Sequence, residues 1–250
     1  MSGLAKFVEG KVVGMRQWTD RLYSIMIDAP IEPFQAGQFG KLVMEIDGEV
    51  VGRPYSYVNA PHERPLEFYY ITVDGGPLTE RLTQLKPGDS IHLAPKAAGF
   101  MVLAELPPAE NLWMLSTGTA LGPFLAILKT PDPWTRFQDI ALIHAVRTAG
   151  ELTYRDQIDR LLAEHPGRLR YVPFVSREDT AFALKARVPE AIRDGRLQNT
   201  AGMELAAAKS QVMICGNPEM VKDTMDALIE LGFKKNKRKD PGQITVENYW

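Results

Sequence analysis

The chain has 250 residues and only one cysteine, Cys215. One cysteine forms no disulfide within the chain, and it cannot hold a cysteine-ligated metal or an iron–sulfur cluster. We therefore predict a protein of a reducing compartment that has no metal site.

Long apolar runs and a strong charge of one sign are also missing. No apolar run approaches the ~20 residues that a membrane helix needs, and the formal net charge is only −2. The first residues, MSGLAKFVEG, have no apolar core ahead of their charges, so we predict no signal peptide. We expect a cytoplasmic protein that binds neither a membrane nor, by its overall charge, nucleic acid.

Residues 1–102 contain short segments of alternating apolar and polar side chains, which turn residues separate. The strand-like segments are KFVEGKVVGMRQWT, RLYSIMIDA, KLVMEI, LEFYYITV and SIHLAP. One helical segment, about residues 78–85, interrupts them. Six or so short strands with one helix predict an N-terminal antiparallel β-barrel.

Residues 111–250 alternate instead between strands and helices. The strand-like segments are NLWMLS, DIALIHAV, LRYVPFV and QVMICG, and the helical ones are GPFLAILK, TYRDQIDRLLAEH and PEMVKDTMDALIELG. This order predicts a parallel α/β domain of four strands that binds a nucleotide. The two prolines of LAELPPAE place a linker at residues 103–110.

Two turns are suited to phosphate groups. In TVDGGPLTERL a helix begins at Pro77 directly after two glycines, and its free N–H groups suit a pyrophosphate. A plainly capped helix explains the same pattern. In LSTGTALGPF the first parallel strand ends at a glycine-containing turn, where such sheets bind nucleotides, although the G-x-G-x-x-G fingerprint is absent.

Arginines follow the second and third parallel strands. Arg147 comes after LIHAV, Arg177 comes after FVS, and Arg187 is ten residues further on. Guanidinium groups at this edge suit the 2′-phosphate of NADP, whereas NAD sites place an acid near the end of the second strand. The stretch HAVRTAG contains no acid there.

The stretch GRPYSYV, residues 52–58, is unusual for a strand. A buried strand would favour Val, Ile and Leu here, so we expect something flat and polar to lie against it. Cys215 ends the fourth parallel strand and faces the same crevice as the glycine turns, although a free cysteine is commonly just a small buried side chain.

Several motifs together resemble the ferredoxin/flavodoxin–NADP⁺ reductases, specifically the bacterial type with a C-terminal tryptophan. They are RPYSYVN, GPLTERL, AAGF, STGTALGPF, CGNPEM and VENYW, and the resemblance runs from about residue 5 to the last residue. It implies an FAD-dependent oxidoreductase that transfers a hydride between NADPH and FAD. Single electrons then pass to or from ferredoxin or flavodoxin.

The resemblance also implies the FAD site. Tyr55 would stack on the isoalloxazine ring, Ser56 would bond near flavin N5, and Arg53 would face the phosphates. The remaining FAD contacts would come from the amides around Gly76, Leu78 and Thr79, and from Tyr249 on the flavin face and Trp250 on the adenine. In the plain alternative, the last two aromatic residues only finish a core strand.

For the nicotinamide nucleotide, the resemblance places Thr117 and Gly118 beside the pyrophosphate and nicotinamide. It implies that the 2′-phosphate is held by Arg147, Ser176, Arg177 and Arg187. Cys215 and Glu247 would flank the nicotinamide and, with Ser56, form the catalytic site. Glu247 could alternatively be a solvated carboxylate at a strand end.

The stretch FKKNKRKDP is strongly basic. Its cations are Lys234, Lys235, Lys237, Arg238 and Lys239. We predict that they dock an acidic electron carrier, ferredoxin or flavodoxin, by local steering of a monomeric enzyme. A solvated turn after the last helix is the plain alternative.

Two other functions fit the same sequence. One is an NADPH-dependent flavin reductase or oxygenase reductase component with a dedicated partner. The other is a non-catalytic flavin-binding subunit of a larger complex, which would lack a complete nicotinamide site. Colour with anaerobic bleaching by NADPH separates an enzyme from such a subunit.

Overall fold

The structure, a computed structural model, describes residues 3–249. Its N-terminal part is a six-stranded antiparallel sheet with the order β4-β3-β6-β1-β2-β5. The strands are β1 (Val8–Gln17), β2 (Leu22–Asp28), β3 (Phe39–Ile46), β4 (Glu49–Ser56), β5 (Leu66–Ile71) and β6 (Ser90–Leu93). This sheet confirms the antiparallel fold predicted from the alternating segments.

The two edge strands of this sheet meet and close it into a barrel. Tyr57 and Phe68 form an antiparallel bridge, and the Val58 amide donates to the Glu67 carbonyl at 2.9 Å. Helix α1 (Pro77–Gln84) packs against β3 and β4 and buries Leu78 and Leu82 in the barrel core. The predicted helix at 78–85 is therefore correct within about one residue.

The C-terminal part is a parallel sheet with the order β11-β10-β7-β8-β9. The strands are β7 (Asn111–Thr117), β8 (Asp139–Val146), β9 (Leu169–Val175), β10 (Ser210–Gly216) and β11 (Ile244–Asn248). The helices are α2 (Leu121–Leu128), α3 (Asp132–Arg136), α4 (Arg155–Glu164), α5 (Val188–Arg193), α6 (Arg196–Ala201) and α7 (Pro218–Glu230). Two apolar clusters cover the two faces of this sheet, as a doubly covered parallel sheet requires.

The four predicted parallel strands are all present, and β11 adds a fifth. Its five residues, ITVEN, are short and mixed in polarity, and they become a strand by pairing beside β10. Helices α3, α5 and α6 have five or six residues each, which is too short for a helical period to show in the sequence.

The segment 103–110 packs against the second core. Leu103 begins a short 3₁₀ turn, and both Leu103 and Leu106 are buried in the cluster that includes α2. The Arg136 guanidinium donates to the carbonyls of both leucines, at 2.5 and 2.9 Å. Division of the chain at this segment stays a prediction.

A buried polar network joins the barrel to the α/β part. The Tyr154 hydroxyl donates to Glu67 Oε1 at 2.7 Å and lies 2.6 Å from Ser24 Oγ. The Thr153 hydroxyl donates to the Tyr69 hydroxyl at 2.9 Å. Because these groups are removed from water, their hydrogen bonds fix how the two sheets face each other.

Two features are absent from residues 3–249. No helix there is both long and apolar enough to cross a membrane. No group of three or more His, Cys, Asp or Glu side chains is arranged to hold a metal ion.

Candidate active site

A cavity of about 390 Å³ lies along the exposed side of β4. All six barrel residues predicted for FAD line it: Arg53, Tyr55, Ser56, Gly76, Leu78 and Thr79. Its far wall comes from the other half of the chain, through Glu247 and Tyr249. Phe39, Tyr69 and Tyr70 also line it. Their strands have ordinary alternating patterns, so the sequence gives no signal for these three residues.

The composition of β4 follows from its position at the edge of the barrel sheet. An edge strand tolerates Pro54, because the missing N–H removes no ladder bond on its outer side. Tyr55 is half-buried and meets Tyr70 edge to face, with 6.0 Å between ring centroids. Burial raises the pKa of Tyr55 to about 12, so its ring is neutral at physiological pH.

The start of α1 closes one end of this cavity. The Gly76 amide is not free for a phosphate, because it donates to the Val73 carbonyl at 2.8 Å. The Thr79 hydroxyl is also used within the turn, where it donates to the Gly76 carbonyl and accepts from the Val73 amide. The amides of Leu78 and Thr79 belong to the first turn and point out of the helix without a helical partner.

Arg53 is the cation of this cavity. Its guanidinium donates to the Gly52 carbonyl at 3.0 Å and forms no ion pair within residues 3–249. The side chain is exposed. It is therefore available to an anionic group beside the first turn of α1.

Ser56, Cys215 and Glu247, the three predicted catalytic residues, come together from three strands. Cys215 of β10 is directly opposite Glu247 of β11 in the parallel register. The Tyr249 hydroxyl donates to Ser56 Oγ at 2.5 Å. Cys215 is fully buried, and burial raises the pKa of its thiol, so the thiol is protonated.

Glu247 is the acid of this cluster. Burial raises its pKa to about 7, and a hydrogen bond from the Phe100 backbone opposes that rise. Glu247 Oε2 is buried and has no hydrogen-bond partner among the described residues. A carboxyl group of this kind can hold or release a proton near neutral pH.

A second cavity, of about 410 Å³, lies at the carboxyl ends of the parallel strands. The predicted residues that line it are Thr117, Gly118, Arg147, Ser176 and Arg187. Arg177 is adjacent through its backbone, whose amide donates to the Arg147 carbonyl, but its side chain is not among the described groups that line this cavity. Three residues line both cavities and so lie between them: Ile71, Thr119 and Tyr249.

Backbone geometry brings two strand ends together at the floor of this crevice. Gly216 has φ +148°, and a Cβ there would lie 2.1 Å from the Thr117 hydroxyl oxygen. That hydroxyl accepts from the Asn217 amide at 3.2 Å. Asn217 in turn caps α7, since its side chain accepts from the amides of Glu219 and Met220. The Asn-Pro dipeptide before this helix was the signal that could have identified Asn217.

The stretch HAVRTAG predicts no acidic residue at the end of β8, but the structure brings one there. Glu151 follows directly and returns to the strand end, where it accepts from the Arg147 amide at 2.9 Å and from the Arg147 guanidinium at 2.7 Å. Burial disfavours the charged form of Glu151, but these bonds from Arg147 lower its pKa overall. Glu151 therefore places a negative charge in the nucleotide crevice.

The basic turn is anchored to the rest of the molecule. Asn236 donates its side-chain amide to the Glu105 carbonyl at 2.8 Å and to the Thr245 hydroxyl at 3.2 Å. Lys234 pairs with Asp240, and Arg238 pairs with Glu105. The other three cations, Lys235, Lys237 and Lys239, are exposed and form no ion pair within residues 3–249.

Comparison with known proteins shows which family the chain belongs to. The flavodoxin/ferredoxin–NADP reductase of Escherichia coli (strain K12) is 47% identical over 248 residues, which is 99% of this chain and 100% of that relative. The chain belongs to the flavodoxin/ferredoxin–NADP reductase family. The family predicted from the motifs is therefore confirmed.

Other relatives agree with this membership. The ferredoxin–NADP reductase of Pseudomonas aeruginosa is 35% identical, with 95% of each chain covered. A crystal structure of a ferredoxin NADP⁺ reductase from Neisseria gonorrhoeae with bound FAD and NADP superposes with a TM-score of 0.92 at 33% identity, covering 98% of this chain and all of that one. The family model of the oxidoreductase NAD-binding domain matches residues 114–226, within the parallel part.

Proposed function

We propose that this protein is an FAD-dependent reductase that exchanges electrons between NADP(H) and ferredoxin or flavodoxin. The position of Tyr249 carries the proposal. With Ile71 and Thr119, its ring lies between a cavity lined by the RPYS strand and a crevice lined by strand ends of the parallel sheet. Two ligands that bind in these spaces are neighbours, with the Tyr249 side chain between them.

The residues of the first cavity fit FAD. Tyr55 and Tyr249 offer flat aromatic surfaces, which match a flat ring system. Arg53 and the first-turn amides of α1 are suited to a pyrophosphate. Trp250, assigned to the adenine, lies outside the described residues, so that assignment stays a prediction.

Bound FAD supplies the chemistry, since it accepts a hydride and releases electrons one at a time. The residues of the chain orient the reacting groups and hold a proton beside them. Ser56 presents a hydroxyl at the end of β4, where Tyr249 orients it. Glu247 holds a proton near neutral pH in a pocket that the protonated Cys215 thiol keeps free of a second negative charge.

The residues of the crevice fit NADP(H). Thr117 and Gly118 border the position proposed for the pyrophosphate, and Asn217 fixes the Thr117 hydroxyl. Arg147, Ser176 and Arg187 provide donors for a 2′-phosphate, and we propose that Arg177 joins them. Glu151 orients the Arg147 guanidinium through a close ion pair.

The basic turn suits an acidic carrier protein. Its three unpaired lysines would raise the encounter rate by local steering, although the whole chain is close to neutral. We propose that the enzyme is a monomer of the cytoplasm.

Two measurements test the proposal. The purified protein should be yellow and should bleach under anaerobic NADPH, then regain colour when oxidised ferredoxin or flavodoxin is added. Flavin released by acid should be FAD by chromatography. Colour without bleaching would favour a non-catalytic flavin-binding subunit. Bleaching without reoxidation by either carrier would favour a reductase component with another partner.

A further inference from the structure

One exposed aromatic ring, Phe100, lies beside the basic turn. Phe100 is 61% exposed, and the Arg238 guanidinium carbon lies 4.6 Å from its ring centre. Arg238 is at the same time paired with Glu105 Oε1 at 2.9 Å. One side of the ring therefore contacts Arg238, whose charge Glu105 neutralises. The rest of the ring is exposed to solvent.

Phe100 is also next to the flavin cavity. A backbone hydrogen bond from Phe100 reaches the Glu247 carboxyl group. Gly99, the preceding residue, has φ +112°, and a Cβ there would lie 3.1 Å from Glu247 Oε1. A protein that covers the Phe100 ring thus contacts the residue whose backbone bonds to Glu247, and Glu247 lines that cavity.

The surroundings of Phe100 are held in place before any partner binds. Asn236 links the basic turn to the Glu105 carbonyl and to Thr245 of β11. The Asn236 amide donates to the Ile244 carbonyl at 2.7 Å. Docking here requires little ordering of the chain, which lowers the entropic cost of association.

Arg238, which contacts the Phe100 ring, belongs to the basic turn, and the charges of this turn divide into two groups. Arg238 and Lys234 are neutralised by Glu105 and Asp240. Lys235, Lys237 and Lys239 are exposed and unpaired within residues 3–249. An apolar centre with a positive rim is the arrangement that binds an acidic protein: the rim steers the encounter and the centre holds the complex.

We infer that Phe100 is the apolar anchor of a carrier-docking surface formed by Phe100, Lys235, Lys237 and Lys239. Its occupant is an acidic one-electron carrier protein, so the inference rests on the proposed function. The Arg238–Glu105 pair is a positioning contact that holds the ring, and it does not contribute charge to the partner.

The test compares Phe100→Ala with Phe182→Ala, because Phe182 is an equally exposed phenylalanine, at 62%, on the loop after β9. At saturating NADPH, we expect Phe100→Ala to raise the KM for the carrier about tenfold, as loss of an interface anchor does. The increase should persist at high salt, since it is not electrostatic. Phe100→Trp should keep the KM near that of the wild type, and reduction of a small neutral quinone should be unchanged in every variant.

Two results would overturn the inference. One is a carrier KM that rises no more for Phe100→Ala than for Phe182→Ala. The other is an equal loss of rate with the quinone, which would mean that Phe100 acts through Glu247. Failure of the proposed function is a separate result, because the wild-type enzyme would then reduce neither ferredoxin nor flavodoxin.

Discussion

The Tyr249 hydroxyl donates a hydrogen bond to Oγ of Ser56, a residue 193 positions earlier in the chain. The Tyr249 amide also donates to the Gly216 carbonyl at 2.9 Å, so this residue is held by both its backbone and its side chain. Its ring lines both the cavity proposed for FAD and the crevice proposed for NADP(H), so under the proposed function a nicotinamide must displace the ring to reach the flavin. Tyr249 therefore competes with the substrate for one position.

Removal of this ring should tighten NADP⁺ binding. We expect deletion of Tyr249 and Trp250 to lower the NADP⁺ dissociation constant by about tenfold, because displacing an aromatic contact costs up to about 1.5 kcal/mol. Product release should slow and kcat should fall, since tighter ground-state binding does not speed the chemical step. Titration with NADP⁺ followed by flavin absorbance gives the constant, and the spectrum itself should change.

Tyr249→Phe is the matched control for that deletion. It keeps the ring and removes only the hydroxyl that donates to Ser56, so NADP⁺ affinity should stay close to that of the wild type. If the truncated enzyme holds FAD but shows unchanged affinity and an unchanged spectrum, the C-terminal residues only pack the core.

Glu247 should make the stability of the apoprotein depend on pH. Its folded pKa is about 7, against an ordinary 4.5, so the folded protein keeps a proton that the unfolded chain releases between these values. Stability is thus lost as pH rises through this window, by about 3 kcal/mol at most. We expect Glu247→Gln to raise the Tm at pH 8 and to leave it unchanged at pH 4.5.

The exposed Glu49→Gln is the control for this measurement. Its effect on Tm should be the same at both pH values. A Glu247→Gln protein whose Tm change is also independent of pH would mean that folding does not raise the pKa of this carboxyl group.

Local pattern was enough to predict the barrel strands and the main helices, because alternation and helical period are properties of single segments. The family resemblance implies that Ser56, Cys215 and Glu247 form one catalytic site; the fold brings them together, and their catalytic roles stay a prediction. Glu151 was missed because a 3₁₀ turn returns it to Arg147, and the sequence does not show that turn. The strand β11 was not among the predicted parallel strands, because the segment ITVEN becomes a strand only by pairing with β10.

Nucleotide choice should depend on arginines at the crevice. Arg187 lines it and forms no ion pair within residues 3–249. A charge-assisted contact contributes roughly 1.5–3 kcal/mol, so Arg187→Ala should lower kcat/KM for NADPH by roughly tenfold or more and leave NADH nearly unchanged. Arg193→Ala, at the far end of α5 and paired with Glu230, is the matched control and should change neither.

Arg177 gives a separate prediction, because its side chain does not line the crevice. If the exposed loop after β9 closes on the 2′-phosphate, Arg177→Ala should also reduce NADPH use by roughly tenfold and leave NADH use intact. Steady-state kinetics with both nucleotides decides this. Equal losses for NADPH and NADH would show that Arg177 does not recognise the 2′-phosphate.

Charge reversal in the basic turn should slow only the reaction with a protein carrier. We expect Lys235→Glu with Lys237→Glu to lower the rate of carrier reduction at low salt, and the difference should fade at high salt as the charges are screened. Lys86→Glu, an exposed lysine in the turn after α1, should have little effect. If the rate with a neutral quinone falls equally, the basic turn has only a structural role.

The buried tyrosines allow a test of the network between the two sheets. Tyr154→Phe removes the hydroxyl that donates to Glu67 and contacts Ser24, so these buried groups lose a partner and the free energy of unfolding should fall by about 1–3 kcal/mol. Tyr57 is the matched control, because its hydroxyl is buried in the barrel without a hydrogen-bond partner among the described residues. Tyr57→Phe should therefore be neutral or stabilising. Urea unfolding of both variants measures the difference, and equal losses would mean that the network does not hold the sheets together.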